Sequence, residues 1–186
     1  MTESIQTERL DLIPMTPAFL RLSLERNLHE AERELRLSLP ADWPGESSDV
    51  VSLRLKALEE DPALQPWLLR VMTPRGTGVM AGYIGFHTAP DAEYLRRDVP
   101  GGVEFGFTVF PAFRRQGYAR EASIALMRWA RQTQGVKSFA MTIRPDNHPS
   151  QALAAQLGFV RIGSHIDEVD GLEDILEYKV THDDAA

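Results

Sequence analysis

Val103–Phe110 (VEFGFTVF) alternates with a strand period, and past Pro111 the pattern switches to helical spacing in Ala122, Ala125, Leu126, Trp129 and Ala130. Only a short stretch separates the two patterns, so a strand must feed straight into a helix through one tight turn. The strand carries Val103, Phe105, Phe107 and Val109 on one face and Glu104, Gly106, Thr108 and Phe110 on the other. The turn reads Arg114-Arg115-Gln116-Gly117-Tyr118-Ala119. A turn of this kind gathers successive backbone N–H groups at a helix N-terminus, where unpaired amides and the helix dipole attract phosphate. Gly117 permits close approach of the backbone, Ala119 keeps the first helical turn small, and Arg114, Arg115 and Arg120 add positive charge. The alternative is an arginine-bearing turn that binds nothing.

The local charge stands out because the chain as a whole is acidic. Its 186 residues carry 20 Lys and Arg against 27 Asp and Glu, a net charge of −7, yet Ala112–Gln134 holds five arginines against Glu121 alone. An acidic body argues against nucleic-acid or anionic-membrane surfaces and tolerates a cationic partner such as an amine. No cysteine is present, which removes disulfides, thiolate metal sites and a cysteine nucleophile; the five histidines show no ligand spacing, so no metal is expected. Without a signal-like leader or a long apolar run, the expectation is a cytoplasmic protein. The acidic stretch Asp167, Glu168, Asp170, Glu173, Asp174, Glu177, Asp183 and Asp184 reads as a solvated edge and tail.

The remaining elements follow from punctuation and period. Thr7–Ile13 reads as a strand, and Thr16 with Pro17 caps a helix running to about Ser38, interrupted near Asn27-Leu28-His29. The loop Pro40–Ser48 holds Trp43, which either lines an acceptor cleft or packs beneath the loop, and Asp49 caps a helix over Val50–Glu59. Trp67–Met72 and Val79–His87 form a hairpin around Thr73–Gly78, and Asp91–Gly102 is a polar connection. A strand at Ser138–Arg144, a helix at Pro149–Leu157 closed by Gly158, and a strand pair at Val160–Ile166 and Ile175–Val180 complete the chain. No linker divides it, so a single α/β domain over residues 1–186, with a core of about 7–180, is expected. Gly76-Thr77-Gly78-Val79-Met80-Ala81-Gly82 has dinucleotide-fingerprint spacing, but it precedes a strand and is read as a hairpin turn; no P-loop pattern occurs.

Arg114-x-x-Gly117-x-Ala119 resembles the acetyl-CoA loop of the GCN5-related N-acetyltransferases, with the pattern Gln/Arg-x-x-Gly-x-Gly/Ala. Asn147-x-x-Ser150 with Leu153, Leu157, Gly158 and Phe159 is similar to the family's second cofactor segment. Thr7-Glu8-Arg9-Leu10 with Pro14, Glu104-Phe105-Gly106-Phe107 and Glu121-Ala122 resemble the RimJ/RimL-type subgroup that acetylates ribosomal-protein N-termini. The resemblance implies a mixed, splayed sheet flanked by helices (α/β, or α+β) and acetyl-CoA as co-substrate. It implies that backbone around Thr108 and Val109 holds pantetheine, that amides from Arg115 through Gln116, Gly117 and Tyr118 to Ala119 hold pyrophosphate, and that Asn147 contacts the cofactor arm. Many members place a tyrosine acid seven residues after the asparagine; here that position is Ala154, so Ser150 or water is expected to serve the leaving thiolate.

Amide formation from a thioester needs no covalent enzyme intermediate. The protein must align amine and thioester, stabilise the oxyanion and take a proton from nitrogen. At pH 7 roughly one-tenth of an α-amine is free base, against about one in 2,500 for lysine, which makes an α-amine the easier substrate; the expected acceptor is a protein N-terminus or a small amine. Glu104, a carboxylate in the most apolar strand, is the expected base, directly or through a water, with partial burial raising its pKa; Gly106 beside it leaves room for substrate. His87 and His148 read as a strand-end and a loop histidine before they read as bases, and Tyr83 and Tyr94 are candidates to replace the missing tyrosine acid. A CoA-binding module without transferase activity is the rival reading, and a homodimer stays open.

Overall fold

The computed structural model describes residues 2–167 and 171–181. The strands are β1 (Ile5–Gln6), β2 (Leu10–Pro14), β3 (Arg70–Pro74), β4 (Gly82–Phe86), β5 (Val103–Val109), β6 (Ser138–Ile143), β7 (Val160–Asp167) and β8 (Gly171–Lys179). The helices are α1 (Pro17–Leu24), α2 (Leu28–Leu35), α3 (Ser48–Glu60), α4 (Glu93–Arg96), α5 (Tyr118–Gln134) and α6 (His148–Gln156). The strand order is β1-β2-β3-β4-β5-β6-β8-β7. β1 to β4 pair antiparallel in succession, β5 pairs parallel with β6, and β8 runs antiparallel to both β6 and β7. The sheet is therefore mixed and open, flanked by helices, as expected.

The chain falls into two compact units, Met1–Gly85 with Phe107–Ala125, and Phe86–Gly106 with Leu126–Ala186. In the first, Thr16 caps α1 by accepting a hydrogen bond from the Phe19 N–H at 3.0 Å, and Pro17 occupies the first turn. The long first helix breaks where expected: Arg26 adopts φ 59° between α1 and α2. Trp43 is 2% exposed and settles the choice left open for it. Its ring packs against Phe19, Tyr83 and Phe110, with centroids 6.2, 5.9 and 6.2 Å away, and its indole N–H donates to the Ser23 hydroxyl at 2.8 Å. Trp43 is thus core beneath its loop, held by the hydrogen bond a buried indole requires. Ser47 flanks α3, with Asp49 inside the first turn instead of capping it.

Two assignments are corrected here. Thr7–Ile13 is not one strand, because the Thr7 N–H donates to the Leu10 carbonyl at 2.9 Å and its hydroxyl accepts from the Leu10 N–H at 2.7 Å, turning the chain between β1 and β2. In the second unit, Asp91–Gly102 contains α4 and buries Leu95 and Val99 against Ala140. A single helical turn with two apolar side chains is too short to show periodicity.

The second unit is built on aromatic rings: Phe105 packs edge-on to Phe86 (6.1 Å) and Phe159 (6.0 Å), and Phe86 stacks on Phe139 (6.4 Å). The acidic stretch here is less solvated than expected. Glu177 is 8% exposed and accepts from the Ser138 hydroxyl at 2.6 Å, while Asp174 and Glu173 pair with Arg161 and His165. Glu168, Asp170, Asp183 and Asp184 lie outside the described residues.

Candidate active site

Within the first unit, β5 ends at Val109, one tight helical turn follows at Pro111–Phe113, and α5 begins at Tyr118. Between them the backbone alternates in hand: Arg114 is extended (φ −67°), Arg115 is left-handed (φ 62°) and Gly117 is left-handed (φ 81°). Alternation of this sort tips successive N–H groups toward a common point, the arrangement that binds anions. The loop is exposed, as are the side chains of Arg114, Arg115 and Arg120. The Arg114 side chain turns back to donate from Nε to the Val109 carbonyl at 3.0 Å, and the Gln116 amide donates to the Ala112 carbonyl at 3.4 Å.

Arg9 holds the loop from outside. Its Nη1 donates to the Gln116 carbonyl at 2.9 Å, and its Nε and Nη2 grip Glu121 Oε2 at 2.7 and 2.6 Å. Its guanidinium lies 5.2 Å above the Tyr118 ring. Glu121 Oε1 accepts in turn from the Thr7 hydroxyl at 2.6 Å and the Arg9 N–H at 2.8 Å. Burial pushes the Glu121 carboxyl up, but these donors and the Arg9 charge outweigh it and hold the group below its ordinary value. The sequence marked Arg9 and Glu121 only as parts of separate motifs, and nothing in it joined them.

Within the second unit, Glu104 on β5 is 3% exposed. Its Oε2 faces His87 Nδ1 at 3.3 Å, its Oε1 accepts from the Thr142 hydroxyl on β6, and the Tyr94 hydroxyl on α4 also donates to it. The His87 N–H donates to the Glu104 carbonyl at 2.9 Å, so backbone and ring are both fixed to the same residue. Burial alone would raise the Glu104 pKa, as the sequence led one to expect. Hydrogen bonding and charge from His87, with the Thr142 and Tyr94 hydroxyls, reverse the sign and bring it to about 2. Glu104 is thus an anion at neutral pH, with donors already on its oxygens.

At the third expected location, Asn147 precedes α6 and its Oδ1 accepts from the Ser150 N–H at 3.3 Å, which caps the helix and leaves the amide N–H₂ as donor. Asn147 is exposed and Ser150 half-buried. The Tyr83 hydroxyl donates to Ser47 at 3.0 Å and its ring belongs to the Trp43 cluster, so Tyr83 is structural. Among the described residues no group of three or more His, Asp or Glu gathers as a metal site, and no helix is long and apolar enough to cross a membrane.

Residues 9–160 match the family described as acetyltransferase (GNAT) domain. The chain belongs to this family. It is an N-acetyltransferase, and its relatives agree: it is 24% identical over 157 residues to "Uncharacterized N-acetyltransferase YjdG" of Bacillus subtilis, covering 84% of this chain and 89% of that protein. Its fold is that of a GnaT-family acetyltransferase from Bordetella pertussis, with a TM-score of 0.67 and 22% identity over 94% of this chain and 98% of the other. RimL, a ribosomal alpha-N-protein acetyltransferase solved with coenzyme A, superposes with a TM-score of 0.65 at 18% identity over 99% and 100% of the two chains.

For this acetyltransferase the Glu104 pKa has a measurable consequence for stability. A carboxylate lowered from 4.5 to about 2 contributes stability that is complete above the unfolded value and is lost as pH falls through the folded one. Between about pH 5 and about pH 2 the parent is expected to lose most of about 3 kcal/mol that a Glu104→Gln chain does not lose. Urea denaturation of both chains at the two pH values measures the difference, and parallel losses would contradict the assigned hydrogen bonds.

Proposed function

We propose that this acetyltransferase moves the acetyl group of acetyl-CoA to a primary amine, either a protein N-terminal α-amine or a small-molecule amine, by direct attack on the thioester. The observation that carries the reading is the alternating backbone of Arg115 to Gly117 at the start of α5, a conformation that tips successive N–H groups toward one point, with arginines beside it. In the proposal, amides of Arg115, Gln116, Gly117, Tyr118 and Ala119 hold the pyrophosphate and Arg114 steadies the loop. Backbone around Thr108 and Val109 lies along pantetheine. The Thr7-Glu8-Arg9-Leu10 opening and the likeness to RimL support placing the enzyme with the RimJ/RimL type; in the proposal it is one domain working in the cytoplasm, alone or as a homodimer. Glu104 supplies the basic side of the site, drawing the ammonium in and promoting loss of its proton, directly or through a water. Ser150 or a water protonates the thiolate.

Asn147 has one half of its amide committed to the helix cap and offers the other to the pantetheine arm, whose own amides present carbonyls. Asn147→Ala is expected to weaken acetyl-CoA binding by about 1 kcal/mol, read by calorimetry. An unchanged dissociation constant would reduce Asn147 to its capping role.

One observation favours the rival reading of a CoA-binding module without activity: Ala154, the position at which the family resemblance calls for a tyrosine, is fully buried and offers no acid. Thiol release separates the two. A screen of N-terminal peptides, polyamines, aminoglycosides and amino acids with acetyl-CoA should yield free thiol for at least one acceptor if the enzyme reading holds. Binding of acetyl-CoA with no thiol release from any amine would favour the module.

A further inference from the structure

We propose that His87 Nε2, and not a Glu104 oxygen, takes the proton from the attacking amine, with Glu104 as the positioning residue that sets the ring. The inference rests on the acetyltransferase reading above and refines its basic side.

Accessibility is the first argument. Glu104 is 3% exposed, whereas the His87 side chain is 35% exposed, so a substrate arriving from solvent meets the imidazole first. Occupancy is the second: Thr142, His87 and Tyr94 already address the carboxylate from β6, the end of β4 and α4. A proton acceptor must be within hydrogen-bonding reach of its donor, and the carboxylate offers little room for another.

Ring orientation is the third. Nδ1 faces Glu104 Oε2 at 3.3 Å, and since an ionised carboxylate only accepts, the proton of the neutral ring belongs on Nδ1. The lone pair is then on Nε2. That atom lies above Gly106, where a β-carbon would come within 3.1 Å of it and have only the His87 ring within 4 Å. Glycine at this position keeps the basic nitrogen uncovered on the strand face that also carries Glu104. A carboxylate fixing one imidazole nitrogen so that the other works as a base is a general device, because the anion also steadies the imidazolium that forms.

As the amine nitrogen bonds to the thioester carbonyl carbon, one of its N–H protons passes to Nε2. The C–S bond then breaks, and the electron pair leaves with CoA as thiolate. The imidazolium passes the proton on, and Ser150 or a water relays it to the thiolate, which restores the enzyme and yields amide and free thiol.

The test uses the enzyme with an N-terminal peptide acceptor, following acetylated peptide by mass spectrometry and subtracting the acetylation that imidazole and acetyl-CoA give without enzyme. His87→Asn keeps a donor for Glu104 but has no second basic nitrogen; His87→Ala opens a space. Both are expected to lower kcat by about 10²–10⁴ with acetyl-CoA affinity unchanged. Millimolar imidazole should restore a substantial part of the rate to His87→Ala and none to His87→Asn, whose side chain fills the space. Parental kcat in His87→Asn overturns the proposal, as does a slow, folded His87→Ala that imidazole does not rescue. A parent enzyme that acetylates no amine at all sinks the acetyltransferase reading instead.

Discussion

Gly117→Glu is expected to abolish acetyl-CoA binding at working concentrations, raising its dissociation constant by about two orders of magnitude or more. Two effects add. Gly117 sits at φ 81°, where a residue with a β-carbon is strained by about 1–3 kcal/mol, and that β-carbon would meet Arg9 Nη2 at 3.2 Å. The new carboxylate would also place negative charge where the loop presents amides and arginines, repelling a pyrophosphate. Calorimetry with acetyl-CoA reads the loss directly, and circular dichroism checks that the chain is still folded. Gly117→Ala separates the two effects, since it brings the strain without the charge and should lose less. If Gly117→Glu bound acetyl-CoA as tightly as the parent, the pyrophosphate would have to be held elsewhere.

Glu104→Gln should leave acetyl-CoA binding nearly intact and slow acetylation by about 10²–10⁴. The amide keeps the shape of the side chain but removes the negative charge, which in the proposed mechanism both draws in the ammonium and stabilises a positive charge on His87. The loss should shrink as pH rises, because the amine then arrives deprotonated and needs less help. Rates measured from pH 7 to pH 10 with the same peptide test this. A variant with parental turnover at pH 7 would remove Glu104 from the chemistry altogether.

What the sequence disclosed and what it hid have physical reasons. The β5-turn-α5 joint was legible because its information is local: a change of period, a glycine where the backbone turns left-handed, arginines within a few residues. Glu104 stood out because a charge in an apolar strand needs an explanation. The direction of its pKa was not legible, since burial is visible as apolar neighbours in sequence while its donors come from three other places in the chain, His87, Tyr94 and Thr142. For the same reason Trp43 could be read as either cleft wall or core until Phe19, Tyr83 and Phe110 were seen around it. The short helix α4 was missed because four residues cannot display a helical repeat.

The grip of Arg9 makes the shape of the Arg114–Ala119 loop depend on a distant part of the chain. The contacts from Thr7 and Arg9 to Gln116 and Glu121 span 107 to 114 residues of sequence. A loop carrying two left-handed residues is held in shape by the segment that joins β1 to β2, so an excised strand-turn-helix peptide would lack the clamp. Transplanting Arg114–Ala119 into another scaffold would accordingly carry the glycine and the arginines but leave behind the guanidinium that orients the Gln116 carbonyl. In engineering terms, the portable unit is two distant stretches of chain, and any redesign of residues 7–9 is also a redesign of the Arg114–Ala119 loop.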